Sequence, residues 1–224
     1  MAPKLADVAA AVLSFADSSN PDDEMFVVDF NDDVSIELMA GQPFSNDPVE
    51  LSEAVSAVSA RGRTALYDAV SDGLKHLLYG RWPKKALIIV SDGGDNASHL
   101  SFPQVLALAR QSQALIYAIV LSSPDDIDEN PGLLRRLCKD TGGRAYSPAV
   151  GDSVVSVSKD IARDLREQYT LGYTPQNTED LHAFRKIEVK VTTSGHGKVR
   201  VRTREAYSLA APGQLAAQPG PSAK

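Results

Sequence analysis

The spacing of apolar and polar residues in the first part of the chain alternates between a helical and a strand period. Apolar residues recur at helical spacing from Leu5 to about Phe15, which predicts a helix. Met25 to Phe30 is a compact apolar run, and Val34 to Leu38 alternates between apolar and polar positions. The acidic segment 31–33 between these two runs predicts a turn, so the pair is expected to form a β-hairpin.

Two further helices are predicted after the hairpin. Asn46 or Asp47 is expected to cap a helix that runs to about Ser59, with Pro48 at its first position. A longer helix is expected from Ala65 to about Leu78. Its inward-facing apolar stripe consists of Leu66, Ala69, Val70, Leu74 and Leu77.

The second half of the chain alternates regularly between strands and helices. The pattern predicts strands from Ala86 to Val90 and from Leu115 to Leu121, and helices from Phe102 to about Gln111 and from Pro131 to Asp140. Alternating strands and helices are typical of a parallel sheet covered by helices. The predicted fold class is therefore α/β, with a doubly wound, Rossmann-like, mostly parallel sheet and helices on both faces.

The C-terminal part has a different pattern. A helix capped by Asp152 or Ser153 is expected to end near position 168, and an antiparallel β extension is expected to follow it. Its predicted strands run from Tyr169 to Tyr173, from Phe184 to Thr193 and from Lys198 to Arg204. We therefore predict a main domain over 1–168, the β extension over 169–207 and a disordered tail over 208–224.

Composition narrows the possible functions of the 224-residue chain. Its residues are 43% apolar and 23% charged, which is typical of a globular domain. The formal net charge of -6 argues against nucleic-acid binding, which needs a clustered positive surface. The sequence contains neither a membrane-spanning run of about 18 apolar residues nor the pattern of an export signal at its start. We interpret the single cysteine, Cys138, as a buried structural thiol.

Two short segments carry the candidate chemistry. Gly62 to Ala69 places the hydroxyl of Thr64 just before a predicted helix, where it can either cap that helix or ligate a cation. Ile88 to Asn96 is a buried strand that stops at Asp92 and a pair of glycines. Carboxylates at the carboxyl ends of parallel strands face the ligand crevice. The two segments together suggest a cation site with oxygen ligands.

With these residues at the ends of a βα sheet, the chain resembles the von Willebrand factor A-type domain. The resemblance covers about residues 1–168, and its most specific parts are the two segments described above, supported by Val27 to Asp32 and the triplet 141–143. Segments 168–173, 184–187 and 204–207 look like the C-terminal extension of a bacterial branch best known from acidobacterial genomes. The resemblance implies a doubly wound fold that binds protein partners through a metal ion.

The resemblance also implies a ligand set that this sequence contains only in part. Family members hold Mg²⁺ with an Asp-x-Ser-x-Ser motif, a Thr and an Asp. Thr64 and Asp92 match the last two, but no Asp-x-Ser-x-Ser precedes them, and we interpret the similar Asp29-x-Asn31-x-Asp33 as a hairpin turn. Mg²⁺ prefers near-octahedral oxygen coordination, so a site with only these two ligands is expected to bind it weakly or not at all.

The resemblance also implies that a strand is missing from this sequence. In the family, the first strand lies at the centre of the sheet, between the strands that correspond to 25–30 and 86–90 here. Neighbouring strands lie ~4.8 Å apart, so its absence would leave the flanking strands roughly 9.6 Å apart with unpaired backbone groups. The two strands could close up and pair, or a partner could insert a strand. We favour a third possibility, in which the first strand and its ligands lie upstream of Met1.

The function expected from the sequence is a non-enzymatic, adhesion-type module for protein–protein interaction, in which an acidic side chain of the partner completes the metal site. One alternative is a structural subunit with a degenerate, metal-free site. A metal-assisted hydrolase using Asp92 and Asp95 is a weaker alternative, because the sequence shows neither a nucleophile elbow nor histidines at metal-binding spacing. The compartment is not determined; many relatives are exported, so an upstream segment would imply an envelope or extracellular setting.

Overall fold

The structure, a computed structural model, describes residues 5–36, 38, 42–58, 62–121, 129–149, 153–175, 184–192, 199 and 201–208. The helices are α1 (Leu5–Ser18), α2 (Pro48–Ala57), α3 (Leu66–His76), α4 (Phe102–Gln111), α5 (Pro131–Thr141) and α6 (Val154–Glu167). The strands are β1 (Val28–Phe30), β2 (Val34–Ile36), β3 (Ala86–Ser91), β4 (Leu115–Val120), β5 (Ala145–Tyr146), β6 (Phe184–Lys186) and β7 (Ala206–Ser208). No described helix is both long and apolar enough to cross a membrane.

The main sheet is parallel, with the strand order β3-β4-β5. β3 and β4 pair over their whole length, from Ala86 opposite Leu115 to Ser91 opposite Val120. Parallel neighbours require crossover connections, and α4 and α5 are the crossover helices here. The alternation predicted for the second half of the chain is therefore confirmed.

Helices cover both faces of this sheet. Side chains alternate along β4, so Ile116 and Ala118 pack in one core with Val70 of α3 and Leu134 of α5. On the opposite face, Tyr117 and Ile119 pack in a second core against α6, with α1 beside it. The doubly wound α/β class predicted from the sequence is confirmed by this arrangement.

The predicted β-hairpin is also present. β1 and β2 are antiparallel, with Phe30 opposite Val34, and the Asn31 side chain accepts a hydrogen bond from the Asp33 amide at 3.2 Å. Asp47 caps α2 by accepting a hydrogen bond from the Val49 amide at 2.8 Å, and Pro48 begins the helix as expected. The strands β1 and β3 are not neighbours in any sheet formed by the described residues. The possibility that these two flanking strands pair directly is therefore wrong.

The C-terminal strands differ from their prediction. β6 and β7 form an antiparallel pair, whereas the described part of the predicted strand at Lys198 to Arg204 and all of that at Tyr169 to Tyr173 lack strand structure. Tyr169 and Tyr173 are exposed, so neither contributes to a buried sheet face. Alternation alone did not reveal that β6 would pair with a segment further along the chain. The turn expected at 195–197, the cap candidate Asp152 and the tail from 209 onward lie outside the described residues.

The end of α5 is fixed against β4 by a threonine and two glycines. The Thr141 hydroxyl accepts a hydrogen bond from the Ile116 amide at 3.0 Å and donates to the Leu137 carbonyl at 2.9 Å. Gly142 has φ 90° and ends the helix in the left-handed conformation. A Cβ atom on Gly143 would lie 1.9 Å from the Ile116 carbonyl oxygen, so only glycine allows this approach.

Replacing Gly143→Ala is expected to lower the free energy of unfolding by about 1–3 kcal/mol, because β4 or the loop must move away from the added methyl group. Urea denaturation followed by circular dichroism measures the change. Gly172→Ala is the matched control, since nothing lies within 4 Å of its Cβ position. Equal stability of the two variants would contradict the close approach at Gly143.

Cys138 is buried, as the sequence analysis predicted. Burial raises the pKa of its thiol to about 12. At pH 8 the thiol is expected not to react with Ellman's reagent in the folded protein, because the thiolate is the reactive form and the side chain is only 1% exposed. The reaction should become complete after unfolding in guanidinium chloride. Fast labelling of the native chain would instead show that α5 opens locally.

Candidate functional site

The candidate site lies where β1 and β3 end at the same edge of the molecule. The Ala65 amide donates a hydrogen bond to the Asn31 carbonyl at 2.9 Å, which ties the start of α3 to the turn after β1. The Thr64 carbonyl accepts hydrogen bonds from the amides of Asn96 at 3.0 Å and Ala97 at 3.1 Å, which ties it to the loop after β3. Thr64 is therefore held between the carboxyl ends of both strands.

Asp92 is positioned by a tight turn at the end of β3. Its carboxylate accepts a hydrogen bond from the Gly94 amide at 2.9 Å, and the Ser91 hydroxyl accepts one from the Gly93 amide at 3.1 Å. Gly93 has φ 88°, and a Cβ atom there would lie 2.4 Å from the Asn130 carbonyl oxygen. The turn thus depends on glycine and holds the Asp92 side chain at the strand end, where the sequence predicted it.

Thr64 and Asp92 line the same cavity, which has a volume of about 590 Å³. Asn31 and Arg63 line it as well. The structure thus brings a hydroxyl and a carboxylate from segments 28 positions apart to one concave surface. Both are oxygen donors of the kind that hard cations prefer.

The start of α3 is capped by the loop that follows β3. Ala65 is the N-cap residue, and its side chain makes no capping hydrogen bond. The Tyr67 amide donates to the Asp95 carboxylate at 3.1 Å and to the Ser98 hydroxyl at 3.0 Å, and the Asp68 amide donates to the same hydroxyl at 3.1 Å. Capping is therefore the role of Asp95 and Ser98, which removes the capping alternative for Thr64. Neither capping role was predicted from the sequence, because each joins residues about 30 positions apart.

Asp68 holds the other end of the same loop, as structural support rather than as an ion ligand. Its carboxylate accepts hydrogen bonds from the amides of His99 at 2.8 Å and Leu100 at 3.0 Å, and it lies 2.9 Å from the His99 ring nitrogen. Burial alone would raise the pKa of Asp68. The two amides and the His99 ring outweigh burial, and the pKa lies below its usual value.

Asp32 and Gly62 support the segment on the other side of Thr64. The Arg63 guanidinium donates to the Asp32 carboxylate at 2.9 Å, and hydrogen bonds from Arg63 lower the pKa of Asp32. A Cβ atom on Gly62, which has φ +90°, would lie 2.0 Å from an Asp32 oxygen. Sequence reasoning missed this contact because nothing in either local pattern shows that the two segments meet.

Among the described residues, Thr64 and Asp92 by themselves do not form a complete Mg²⁺ site. Nowhere in the described part of the chain do three or more His, Cys, Asp or Glu side chains gather in a way that could hold a metal ion. Asn31 and Asp33 are hydrogen-bonded to each other in the hairpin turn, consistent with their interpretation as a turn. Thr64 and Asp92 supply one neutral and one charged oxygen ligand, which is fewer than a tightly held divalent ion requires.

Asp68→Asn is expected to lower the free energy of unfolding by about 1–3 kcal/mol near pH 7, because it removes the charge that the loop amides stabilise. The pKa of Asp68 is lowered by folding, so its contribution is present above the unfolded-state value of 3.8 and is lost as pH falls through the folded-state pKa. The wild-type and variant urea midpoints should therefore converge below about pH 4.

Asp72→Asn is the matched control on the same helix. Asp72 forms a surface ion pair with Lys75 at 2.9 Å, and such pairs contribute about 0–1 kcal/mol. A difference between wild type and Asp68→Asn that stays constant from pH 7 to the acid limit would contradict the role assigned to the Asp68 charge.

Comparisons with solved structures identify the fold. An aerotolerance-related membrane protein from Bacteroides fragilis has a TM-score of 0.57 at 12% identity, over 74% of this chain and 89% of that one. A von Willebrand factor type A protein from Catenulispora acidiphila has a TM-score of 0.60 at 16% identity, over 72% of this chain and 38% of that one. The conserved hypothetical protein BatB from Bacteroides thetaiotaomicron has a TM-score of 0.55 at 13% identity, over 74% of this chain and 89% of that one.

At the level of sequence, no protein-family model matches the chain, and no curated protein matches it either. The structural likeness extends over about three quarters of the chain at identities that show fold alone. It agrees with the parallel sheet and with the helices on both of its faces. The chain therefore has the fold of a von Willebrand factor type A domain.

Proposed function

We propose that the chain is a non-enzymatic module for protein–protein interaction, which presents the edge carrying Thr64 and Asp92 to a protein partner. The observation that carries this proposal is the position of the two side chains on one cavity, while their neighbours Asp95, Ser98 and Asp68 form the structural hydrogen bonds of the loops. Because capping and loop support are provided by other residues, Thr64 and Asp92 are available for binding.

The isolated module is expected to hold Mg²⁺ weakly. In the arrangement that the resemblance implies, Mg²⁺ sits between the domain and an acidic side chain of its partner. This chain supplies only the Thr64 hydroxyl and the Asp92 carboxylate among its described residues, so it should hold the ion poorly by itself. The acidic side chain of the partner is therefore needed to complete the coordination of the ion, so Mg²⁺ should be held mainly in the complex.

A structural subunit with a metal-free site is the second candidate function. The incomplete ligand set favours it, because a domain that no longer needs the ion is not constrained to keep a complete ligand set. The two candidates differ in one measurable property, since binding by a structural subunit would not depend on Mg²⁺ or on Asp92.

Catalysis is not part of the proposal. The Asp95 carboxylate, which a metal-assisted hydrolase would need, accepts hydrogen bonds from the Tyr67 amide and the Ser98 hydroxyl at the start of α3. His76 packs against the rings of Phe26 and Phe44. His99 is paired with Asp68. These contacts give the three side chains structural roles.

The test is the response of the wild-type chain and its variants to Mg²⁺. Isothermal titration with MgCl₂ should give a dissociation constant of about 1 mM or weaker, because affinity falls with the number of charged ligands. Asp92→Ala should abolish whatever binding remains, whereas Asp72→Ala, on the exposed side of α3, should leave it unchanged. A stoichiometric event with micromolar affinity would contradict the weak site.

Affinity capture with the immobilised chain tests the interaction itself. Proteins of the source organism retained in Mg²⁺ should be reduced by EDTA, by Asp92→Ala and by Thr64→Ala, and should be unaffected by Asp72→Ala. Retention that ignores EDTA and both site variants would select the structural subunit. If wild type retained no protein under any of these conditions, the interaction function itself would be wrong.

A further inference from the structure

A small pocket lies where the C-terminal ribbon, formed by β6 and β7, meets the ends of α4 and α5. Its volume is about 280 Å³. Two contacts fix the ribbon there, since the Arg204 guanidinium donates to the Ser112 carbonyl at 3.2 Å and the Lys139 ammonium lies 2.9 Å from the Glu205 carboxylate. We call this space the ribbon pocket. Its lining residues are Arg110, Asp140, Phe184, Lys186, Glu205 and Ala206.

The ribbon pocket lies at the opposite edge of the sheet from the candidate site. Arg110 is in the last turn of α4, which leads into the start of β4, and Asp140 is in the last turn of α5, which leads into the start of β5. Because β3, β4 and β5 are parallel, these starts share the edge opposite the end of β3 that carries Asp92. A ligand in the ribbon pocket would therefore not contact Thr64 or Asp92.

Asp140 holds one wall of the pocket in place. Its carboxylate is only 2% exposed and is bound by two guanidinium groups. Arg110 approaches one carboxylate oxygen at 2.6 and 2.8 Å, and Arg136, one helical turn earlier, approaches the other at 3.0 Å. A guanidinium has five N–H donors, and Asp140 engages two of those on Arg110. The Arg110 side chain is 33% exposed, so it presents its other donors in a fixed position.

The charges around the pocket do not cancel. One guanidinium would neutralise Asp140, and two are bound to it. The Glu205 carboxylate is matched by Lys139. Lys186 is exposed and forms no ion pair with another described residue. The described side chains at the pocket thus carry at least two uncompensated positive charges.

The charge and the lining of the pocket indicate a phosphate monoester as its ligand. Such an ester carries a charge of about −1.5 to −2 at pH 7 and has three acceptor oxygens, which match the surplus charge and the donors of Arg110 and Lys186. Phe184 and Ala206 line the same pocket and offer an apolar contact for the organic group of the ester. A volume of about 280 Å³ is sized for a small molecule.

We propose that the ribbon pocket binds a small phosphate monoester, with Arg110 and Lys186 on the phosphate and Phe184 against the organic group. Asp140 is a positioning residue, since it acts through Arg110. Because Arg110 belongs to α4 and Lys186 to β6, a bound phosphate would also hold the ribbon against the main domain. The proposal does not depend on the interaction function proposed above, because the two sites lie at opposite edges of the sheet.

The probe is phenyl phosphate, added to the full 224-residue chain in a phosphate-free buffer of low ionic strength. Isothermal titration should give one binding event with a dissociation constant below about 1 mM, because two charge-assisted contacts form together. Benzoate has a similar ring but a single negative charge, and it should bind at least about tenfold more weakly. Absence of phenyl phosphate binding, or equal affinity for benzoate, would overturn the proposal.

Inorganic phosphate distinguishes the two sources of a phosphate group. It should bind at least about threefold more weakly than phenyl phosphate, because it has no organic group to contact Phe184. Phe184→Ala should remove this difference and leave the affinity for inorganic phosphate unchanged. Equal affinity of the wild-type chain for both probes would overturn the ester and assign the pocket to free phosphate.

Lys186→Gln removes one of the two phosphate contacts. Because Lys186 is exposed, the fold should be kept, and the affinity for phenyl phosphate should fall at least about tenfold. Lys190→Gln is the matched control, since Lys190 is also exposed, pairs with Glu188 at 3.2 Å and does not line the pocket. Its affinity should stay within about twofold of wild type. Equal losses in the two variants would reveal general attraction to a basic surface and overturn the pocket.

Arg110→Gln removes the other phosphate contact and should also lower the affinity at least about tenfold. Arg136→Gln is its matched control, because each variant leaves Asp140 with one guanidinium and only Arg110 lines the pocket. The control should lose no more than about threefold. Circular dichroism and an unreactive Cys138 thiol verify that both variants are folded. Equal losses in the two folded variants would overturn the assignment of Arg110.

Asp140→Asn separates positioning from charge. The substitution removes a negative charge beside the bound phosphate, so electrostatics alone would tighten binding. If Asp140 instead fixes the Arg110 guanidinium, the affinity for phenyl phosphate should fall about threefold or more in spite of the added positive charge. Tighter binding by folded Asp140→Asn would overturn the positioning role.

The separation of the two sites has its own readout. Asp92→Ala should bind phenyl phosphate with wild-type affinity, and Lys186→Gln should respond to Mg²⁺ as the wild type does. A loss of phenyl phosphate binding in Asp92→Ala would overturn the location of the phosphate site. Failure of the wild-type chain to bind phenyl phosphate would overturn this site alone and leave the proposed function standing.

Discussion

The structure depends above all on the parallel pairing of β3 with β4, and on the fact that β3 has no second neighbour among the described strands. β4 lies between two strands and two layers of helices, and its apolar side chains from Ile116 to Val120 are fully buried. β3 is also covered by helices but pairs only with β4 among the described strands, and most of its apolar residues are only partly buried. The cavity of about 590 Å³ that Thr64 and Asp92 line lies along this side of β3.

The same edge is connected to the candidate site through the loop that follows β3. Asp95 and Ser98 cap α3, and Asp68 of that helix binds the loop amides in return, so the loop and the helix hold each other in place. Thr64 lies between them because its carbonyl accepts hydrogen bonds from that loop.

Much of the fold could be predicted from local patterns. The hairpin, the cap of α2 by Asp47, the buried Cys138 and the alternation of β3, α4, β4 and α5 follow from periodicity and capping chemistry, which act over a few residues. Predictions that required knowledge of distant partners were less successful. Segment 169–173 has no strand structure and its tyrosines are exposed, and β6 pairs with β7, a partner that no local pattern indicated.

The sequence by itself determined the α/β class, the order of the elements of the main sheet, and the positions of Thr64 before α3 and Asp92 after β3, because each of these depends on side-chain periodicity and on residue types at turns. Only the tertiary structure decided that Asp95 and Ser98 cap α3 in place of Thr64, that Asp32 contacts Gly62 and Arg63, and that β1 and β3 line one cavity of about 590 Å³ without pairing. These contacts join residues about 30 positions or more apart, and hydrogen bonding across such a separation leaves no mark on the local pattern of either segment.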